Sequence, residues 1–474
     1  MNSFRLSFAS LAVISALGIT ACNDSANDAP PAPKSTVVSG VITNFGSVFV
    51  NGVKYETGGS TVSLDGTTAA ESDLKIGMLV TLEGTINADG TTGVAKSVAF
   101  ADEVEGYVSV INLDANGTGT MVVMGQTVTL DANTAFESKV LTIDILSKIA
   151  IGNIVEISGF SSGTGSILAT RVEVKKAIRG STDTVELKGV IASLDATAKT
   201  FVIGGLTVIF SDTTLLERIT STTLANGLFV EVHSSAGANG SGQLIASKIE
   251  LKGNGQKGHK LEKDKHMELE GIITAAPTTT TGIASFMLNG QVIRLTSTTE
   301  YKDGTVDKLL VGVRVKIEVT ADADGNIIAK EIKFVPEANI RFEGNLDSVD
   351  TANRTVTIMG QVIKLGNDTL TQDKRKEDGH DAVRHFGVTN LAAGQRVKIR
   401  AFKDANGAWI ATKFERVNAS TDPVELNAII QSVGSVGSGT MMVAGISVNI
   451  SAITNTNTTF VVGKRVKLRH KIDR

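Results

Sequence analysis

The sequence contains one cysteine, six prolines, six histidines and one tryptophan among 474 residues. A single cysteine excludes an intramolecular disulfide, so the burial of apolar side chains must stabilise the fold. Aromatic residues make up only 4% of the chain, which disfavours binding of nucleic acid or sugar polymers by stacking on exposed rings. The formal net charge of −3 is too small to attract a polyanion over the whole surface.

Glycine is abundant, at 48 residues, and the chain is 42% hydrophobic and 20% charged. These proportions are typical of a folded globular protein, and not of a disordered chain or a polytopic membrane protein. Much glycine with little proline favours many short strands joined by tight turns. The length predicts several domains.

The N-terminus predicts export and anchoring. Residues 1–21 carry one cation, then an apolar run, then small residues before Cys22, which is the pattern of a cleaved export signal. The tetrapeptide Ile19-Thr20-Ala21-Cys22 resembles the bacterial lipobox, and the resemblance implies that Cys22 becomes an acylated N-terminus. Two alternatives are cleavage at an ordinary small-residue site, which leaves a free thiol, and an uncleaved anchor helix. The apolar run is shorter than the roughly 20 residues that an anchor helix needs.

The residues after Cys22 indicate a tether and a location. Residues 22–35 hold three of the six prolines and few apolar side chains, so they predict a flexible tether. Asn23 stands where many lipoproteins retained in the inner membrane carry aspartate, and the resemblance therefore implies the outer membrane. We expect a protein of the cell envelope that is held to the membrane by lipid.

The strongest internal signal is a repeated pattern, [LIF]-x-x-G-x-x-V-x-[LIV], which marks tandem modules. In each copy the apolar residue and the glycine fit a short helical turn with a left-handed cap, and the valine fits an alternating strand. Six copies are centred on Gly77, Gly152, Gly227, Gly312, Gly394 and Gly463.

Other landmarks recur in step with this pattern, among them an opening glycine with an apolar residue two places on, and a late alanine with an apolar residue three places on. They predict three strands, a helical turn and two more strands, which is the order of a five-stranded OB-type barrel. The fold class is therefore all-β, a tandem array of about six small OB-like barrels. The predicted modules are residues 36–103, 104–182, 183–252, 267–336, 337–422 and 423–474, with a charged linker at 253–266, a charged insertion at 367–390 and a truncated sixth module.

The spaced glycines, the L-x-x-G-x-x-V-x-V strand and the closing A-x-x-[VIF] strand resemble a repeated domain of unknown function found in many bacterial lipoproteins and exported proteins. The likeness covers nearly all of the mature chain. It implies architecture and location, because that family has no shared enzymatic residues to carry over.

The sequence predicts no catalytic residues, no metal ligands and no cofactor. No Ser-His-Asp, Cys-His or phosphate-loop pattern is present. Asp322-Ala-Asp324-Gly325-Asn326 resembles the start of a calcium loop, but the position equivalent to it holds Asp-Gly or Asn-Gly in other modules, which favours a hairpin turn. The histidines His380 and His385 lie in the charged insertion at a spacing that suits neither a strand nor a helix for zinc binding.

One charge pattern points to a binding surface. In modules 4 to 6 the fourth strand carries an arginine and a lysine two places apart, which share one strand face. These possible anion-binding residues are Arg314, Lys316, Arg396, Lys398, Arg465 and Lys467. The alternative is a solvated strand face whose cations pair with neighbouring acids.

These patterns together predict a non-enzymatic scaffold or adhesive surface of the envelope, with an envelope protein or polysaccharide as its partner. A protein that binds an anionic polymer or polysaccharide through the basic faces of modules 4 to 6 is the alternative. An enzyme is the third reading, and a nucleic-acid partner is disfavoured.

Overall fold

The structure, a computed structural model, describes residues 33–162, 164–252, 266–280, 282–322, 324–377, 380–381, 385–434, 439–451 and 460–470. The predicted signal peptide at 1–21, Cys22, the tether as far as residue 32 and linker residues 253–265 lie outside this part. Across the described ranges, no helix has the length and apolar character needed to cross a membrane.

The described chain is built of strands and short 3-10 turns, so the prediction of an all-β fold is confirmed. Module 1 contains strands Lys34–Asn44, Val48–Val50, Val53–Glu56, Thr61–Leu64, Thr67–Ala69, Leu79–Ile86 and Thr92–Phe100, with a turn at Glu71–Asp73. Module 2 contains Val104–Leu113, Gly119–Val123, Gln126–Ser138, Ile154–Ser161 and Ser166–Lys176, with a turn at Leu146–Lys148. Module 3 contains Val185–Val190, Ala192–Asp195, Thr200–Ile203, Leu206–Ile209, Leu215–Glu217, Phe229–Ser234, Leu244–Ile245 and Lys248–Leu251.

The last three modules repeat this order. Module 4 contains His266–Thr280, Ile283–Leu288, Gln291–Arg294, Glu300–Lys302, Arg314–Ala321 and Ile327–Phe334, with a turn at Val306–Lys308. Module 5 contains Ile340–Asn345, Ser348–Asp350, Thr355–Ile358, Gln361–Asp373, Lys376–Glu377, His380–Asp381, Arg396–Lys403 and Trp409–Arg416, with a turn at Val388–Asn390. Module 6 contains Val424–Val433, Thr440–Val443, Ile446–Asn449 and Arg465–His470.

Module 1 closes in the order expected of an OB-type fold. We number the five barrel strands of each module by their place in the OB-type order; in module 1 the first, second, third, fourth and fifth are Lys34–Asn44, Val48–Val50, Val53–Glu56, Leu79–Ile86 and Thr92–Phe100. The first strand pairs with the second and the fourth, the fourth pairs with the fifth, and all three pairings are antiparallel. The third strand instead runs parallel to the fifth, with Lys54 opposite Thr92. Modules 2 and 4 close in the same way, including the parallel pairing of third and fifth strands. The alternating apolar side chains of these strands fill the barrels, as in the module 1 core around Ile42, Val80 and Val98.

The repeated glycines occupy equivalent positions in all six modules, and their φ angles lie between +81° and +88°. Each glycine N–H donates to the carbonyl of the apolar residue near the end of the first strand, and that residue's N–H donates to the carbonyl after the glycine. We call this pair of bonds the glycine latch. The first-strand partners are Ile42, Val108, Ile191, Ile273, Leu346 and Ile430, with N–O distances of 2.8–2.9 Å in both directions.

A threonine in the third strand makes a second repeated contact. In modules 2 to 5 its Oγ1 donates to the carbonyl of the fifth-strand alanine at 2.8–3.0 Å. It also accepts a bond from the N–H three residues earlier. The threonine–alanine pairs are Thr134 with Ala169, Thr214 with Ala246, Thr299 with Ala329 and Thr369 with Ala411. This bond ties the parallel third and fifth strands together at the site where their register shifts in modules 2 and 5.

The sheets do not follow the order of the modules along the chain. The first strand of module 1 pairs in parallel with the first strand of module 4, Thr36 opposite His266. First strands also pair between modules 2 and 3, through Leu187 and Val104, and between modules 5 and 6. Three large sheets result, each continuous across two modules.

The boundary predicted for the charged insertion at 367–390 lies too early in the chain. The third strand of module 5 continues to Asp373, and Leu370 lies opposite Lys413 of the fifth strand. Residues 369–373 are all buried, because Leu370 packs into the core cluster of module 1 while the strand remains part of its own barrel. The prediction of a charged insertion is wrong for these five residues, because they belong to a buried strand of the barrel. The predicted tether also ends earlier than expected, since a strand begins at Lys34.

The latch predicts a specific cost of adding a Cβ. A Cβ at Gly227, where φ is +87°, would have no atom within 4 Å. The cost of adding it therefore comes only from the left-handed backbone conformation, which residues with a Cβ rarely adopt. We expect Gly227→Ala to lower the free energy of unfolding by about 1–2 kcal/mol. Chemical denaturation measures this loss. Gly240→Ala is the control in the same module, because that glycine has equal space without a positive φ, and an equal loss in both variants would contradict the role of the latch.

Candidate functional site

The two cations predicted to lie on one strand face of module 4 form ion pairs within the protein. Lys316 Nζ lies 2.5 Å from Asp368 Oδ1 of module 5, and only 9% of its side chain is exposed. Arg314 Nη2 lies 2.7 Å from Glu270 Oε1, and the other oxygen of Glu270 accepts the N–H of Val41 in module 1. Burial lowers the pKa of Lys316, but the carboxylates of Glu270 and Asp368 outweigh it and raise that pKa.

The two predicted cations of module 5 differ in burial. The Arg396 side chain is buried and donates to the carbonyls of Asp422 and Pro423 at 3.0 Å. Lys398 Nζ lies 3.9 Å from Glu343 and remains partly exposed.

On module 6 the predicted cations stay at the surface. Arg465 donates to the carbonyl of Asn339 at 3.0 Å. Lys467 Nζ lies 3.0 Å from Glu425 Oε2.

The structure therefore does not bring the six predicted cations together on one surface. The expectation of a solvent-facing position is wrong for Lys316 and Arg396, because neighbouring modules cover those strand faces. The acid partners foreseen in the alternative interpretation are present for the lysines, for Arg314 and for Arg396, whose Nη2 lies 3.4 Å from Glu343 Oε1.

A cavity of about 980 Å³ lies where modules 1, 2, 4 and 5 meet. Its wall combines six cations with five carboxylates, so the charges nearly balance. The cations are Arg314, Lys316, Lys333, Arg354, Lys364 and Lys403. Several are already engaged, such as Arg354 with Asn367 at 2.6 Å and Lys403 over the ring of Trp409 at 4.8 Å. The lining holds no histidine, the side chain that most often acts as a general acid or base.

The join between modules 2 and 3 contains a buried charge cluster. Lys188 Nζ contacts Asp102, and it lies 3.0 Å from Glu231 Oε1. Burial lowers the pKa of Lys188, but the surrounding carboxylates raise it well above its usual value. Glu105 lies opposite Glu186 across the paired first strands. Burial raises the pKa of Glu105 to about 7.

One group in this cluster has the residue types of a metal site. Ligand atoms of Glu186, Glu231 and His233 all lie within 4.8 Å of one another. However, Lys252 contacts Glu231 at 2.6 Å, in addition to Lys188. Burial lowers the pKa of His233, but the two glutamates outweigh it and raise that pKa to about 9. A metal ion needs a neutral imidazole and free carboxylates, so the arrangement favours an ion-pair cluster over a metal centre.

Modules 1 and 2 contact each other through the latch loop of module 1. Thr170 Oγ1 donates to the carbonyl of Gly77 at 2.6 Å, and Ser158 Oγ accepts the N–H of Leu79 at 2.8 Å. A Cβ at position 77 would lie 2.6 Å from the Cβ of Ala135, so glycine is also needed here for close approach. Ile76, just before the glycine, is only 8% exposed and packs in the same core cluster as Ala135.

Sequence reasoning missed the repeated threonine and the charged joins for different reasons. The threonine recurs at one position of the third strand in four modules, so a closer alignment of the modules with one another would have found it. Lys188 and Asp102 are 86 residues apart in the chain, and neither repeats with the module. No local pattern signals such a pair.

The model of the family described as Domain of unknown function (DUF5666) matches residues 37–99, 105–173, 188–250, 270–333 and 343–415. The chain belongs to this family. The five DUF5666 matches fall on modules 1 to 5, and module 6 carries the same glycine latch.

The other comparisons add little. No curated protein matches the chain. The solved structure "drosophila Unr CSD456" is similar at 15% identity and a TM-score of 0.12, and the match covers 49% of this chain and 97% of that one. A likeness at that TM-score carries no argument about the DUF5666 modules.

The raised pKa of Glu105 predicts a pH effect on stability. Burial raises the pKa of Glu105 in the folded protein to about 7 from its usual value of 4.5. The unfolded chain therefore binds fewer protons between these values, and this group destabilises the fold as the pH rises. We expect Glu105→Gln to gain stability relative to the wild type as the pH goes from about 4.5 to about 7. Urea denaturation at several pH values measures the difference, and a difference that does not change with pH would contradict the assignment.

Proposed function

We propose that this protein is a lipid-anchored, non-enzymatic scaffold of the bacterial cell envelope, in which DUF5666 barrels present an interaction surface to an envelope protein or polysaccharide. The observation that carries the proposal is how the modules are joined. First strands pair across modules 1 and 4, 2 and 3, and 5 and 6, and ion pairs such as that of the buried Lys316 with Asp368 cross between barrels. Such contacts hold barrels in fixed relative positions, which is what a scaffold requires.

The chemistry of the joins supports a non-enzymatic role. Within the described residues, the groups with displaced pKa values at the module joins, such as Lys188, Glu231 and His233, contact one another or nearby lysines. Structural ion-pair networks displace pKa values as active sites do. The pKa shifts of Lys188, Glu231 and His233 all favour their charged forms, because oppositely charged neighbours outweigh burial, so these three groups act as ion-pair partners and not as free bases or nucleophiles.

The anchor is tested at Cys22. We expect the full-length chain to fractionate with membranes and its mature N-terminal peptide to carry acyl chains, because the lipobox pattern directs acylation of that cysteine. Cys22→Ala removes the acceptor thiol and should move the protein to the soluble envelope fraction. Fractionation with mass spectrometry of the N-terminal peptide measures both.

The Cys22 experiment has an internal control. Asn23→Ala leaves the thiol in place and should remain with the membrane. An unmodified N-terminus in the wild type, or membrane association of Cys22→Ala equal to that of the wild type, would refute the anchor.

Binding of an anionic polymer is a second candidate, and one observation favours it. The fourth strand of module 6 exposes Arg465, Lys467 and Arg469 on one face, and Lys467 and Arg469 share a single carboxylate, Glu425. This face has an excess of positive charge. The equivalent cations of module 4 are neutralised by acids at the join, so the candidate rests on module 6.

Neutralising this face separates the two candidates. If the face binds an anionic polysaccharide, Arg465→Gln combined with Lys467→Gln should make the full-length protein elute from an immobilised anionic polysaccharide at a lower salt concentration, because fewer counterions are exchanged. Lys199→Gln combined with Lys308→Gln removes two surface charges elsewhere and serves as the control. Equal elution of both double variants would rule out the module 6 face as the binding site.

A further inference from the structure

The contact between modules 1 and 2 supplies a template for an interface. The module 2 side, which we call the receiving face, consists of Ala135, Thr170 and Arg171 on the third and fifth strands. Arg171 is clamped by Glu137 at 2.6 Å and Glu173 at 3.0 Å. The Thr170 hydroxyl lies 3.1 Å from the carbonyl of Ser158 and 2.6 Å from that of Gly77. The latch loop of module 1 occupies this face with Ile76 and Gly77.

Module 3 carries the same receiving face at equivalent positions. Lys248 replaces Arg171 and lies 3.5 Å from both Glu217 and Glu250, its equivalent acids. The pairing is also the same, since Lys248 is opposite Leu215 as Arg171 is opposite Ala135. Ser247 replaces Thr170, and its Oγ donates at 3.0 Å to the carbonyl of His233, which is the equivalent of Ser158.

On module 3, however, this face is open and more apolar. Leu215 replaces Ala135 and is 55% exposed, while Ile245 replaces Leu168 and is 40% exposed. In module 2 the equivalent Leu168 packs against Val41 and Leu79 of module 1. Two apolar side chains that are covered in the template are therefore uncovered on module 3.

The receiving positions of other modules differ. Module 4 has Glu300, Lys330 and Glu331 there, and Lys302 pairs with Glu331 at 2.5 Å. In module 5, Leu370 is already covered by module 1. Among these modules, module 3 has the open apolar copy.

The latch loop of module 2 is the open loop that keeps the isoleucine of the module 1 loop. Ile151 precedes Gly152 as Ile76 precedes Gly77, and the latch bonds and the glycine φ of +88° are the same as in module 1. Ile151 is 68% exposed, and a Cβ at Gly152 would have no atom within 4 Å. The same inter-strand segment also exposes Leu141 and Ile145. This loop presents the docking side chain of module 1 without a surface to receive it.

We propose that the latch loop of module 2 in one copy of this chain docks on the receiving face of module 3 in a second copy. Both halves of a contact already formed within the chain are exposed elsewhere on it, with the same backbone geometry and with a cation between two glutamates at the same position of the face. Because the loop and the face are different surfaces, two copies either exchange both contacts about a two-fold axis or continue into a longer assembly. The proposal does not depend on the anchor at Cys22.

Site-specific crosslinking in the full-length protein tests this contact. A photoreactive amino acid replaces Ile151 in a copy with one affinity tag, and a second copy with a different tag is expressed in the same cells. We expect irradiation to link the two tagged copies, with the crosslinked peptide containing residue 215, 245 or 248. Leu215→Glu in the second copy should lower the yield about tenfold, because docking would bury that charge next to an apolar side chain.

Matched positions make the outcome decisive. Leu215→Glu lies on an exposed side chain, so its thermal unfolding should match that of the wild type. A probe at Val362 of module 5, which is also exposed, should give no link to module 3. Absence of a link from position 151, a link that maps outside module 3, or a yield unchanged by Leu215→Glu would each overturn the proposal.

Discussion

The reciprocal pair of backbone hydrogen bonds at the latch glycine is the constraint on which each module depends. The left-handed conformation turns the chain so that the glycine N–H and the carbonyl after it face the same first-strand residue. That residue is thereby fixed beside the start of the fourth strand, and this is the pairing that closes the barrel. Because both bonds use only backbone atoms, the neighbouring side chains are free to vary. The position before the glycine is accordingly a buried isoleucine in module 1, an exposed isoleucine in module 2 and an asparagine in module 3.

Local regularities made the modules predictable from the sequence. The latch glycines, the alternation of the strands and the Asp-Gly and Asn-Gly turns are each set within a few residues, and at Asp322 the turn forms as expected, with its carboxylate accepting the N–H of Asp324 and Asn326. The joins were not predictable. Val41 and Glu270 are 229 residues apart, and no periodicity relates them. The spacing of Arg314 and Lys316 correctly implied a shared strand face, but a strand pattern does not reveal which other module covers that face.

The charged joins have a physical consequence beyond stability. A buried ion pair gains little over a well-packed apolar contact, but loss of one partner costs about 3–5 kcal/mol, whereas an exposed pair contributes at most about 1 kcal/mol. Lys188, which is buried with Asp102 and Glu231, therefore penalises any other arrangement of the modules more than it rewards the native one. OB-type barrels with similar exteriors could pack in many ways, so such penalties select a single pairing among six related modules.

Latch loops of the same conformation can make a permanent contact in one module and a reversible contact in another. The difference lies in the residue of the receiving face that the loop meets. At the join of modules 1 and 2, Ala135 allows the glycine backbone to approach so closely that a Cβ at position 77 would overlap it, and the hydroxyl of Thr170 bonds the loop carbonyl. Leu215 is larger and would hold a docked loop further away, which favours apolar contact over the backbone hydrogen bond. A contact of that kind depends on protein concentration rather than on chain connectivity. Module 3 is therefore suited to an exchangeable partner, whereas module 2 is suited to its covalently linked neighbour.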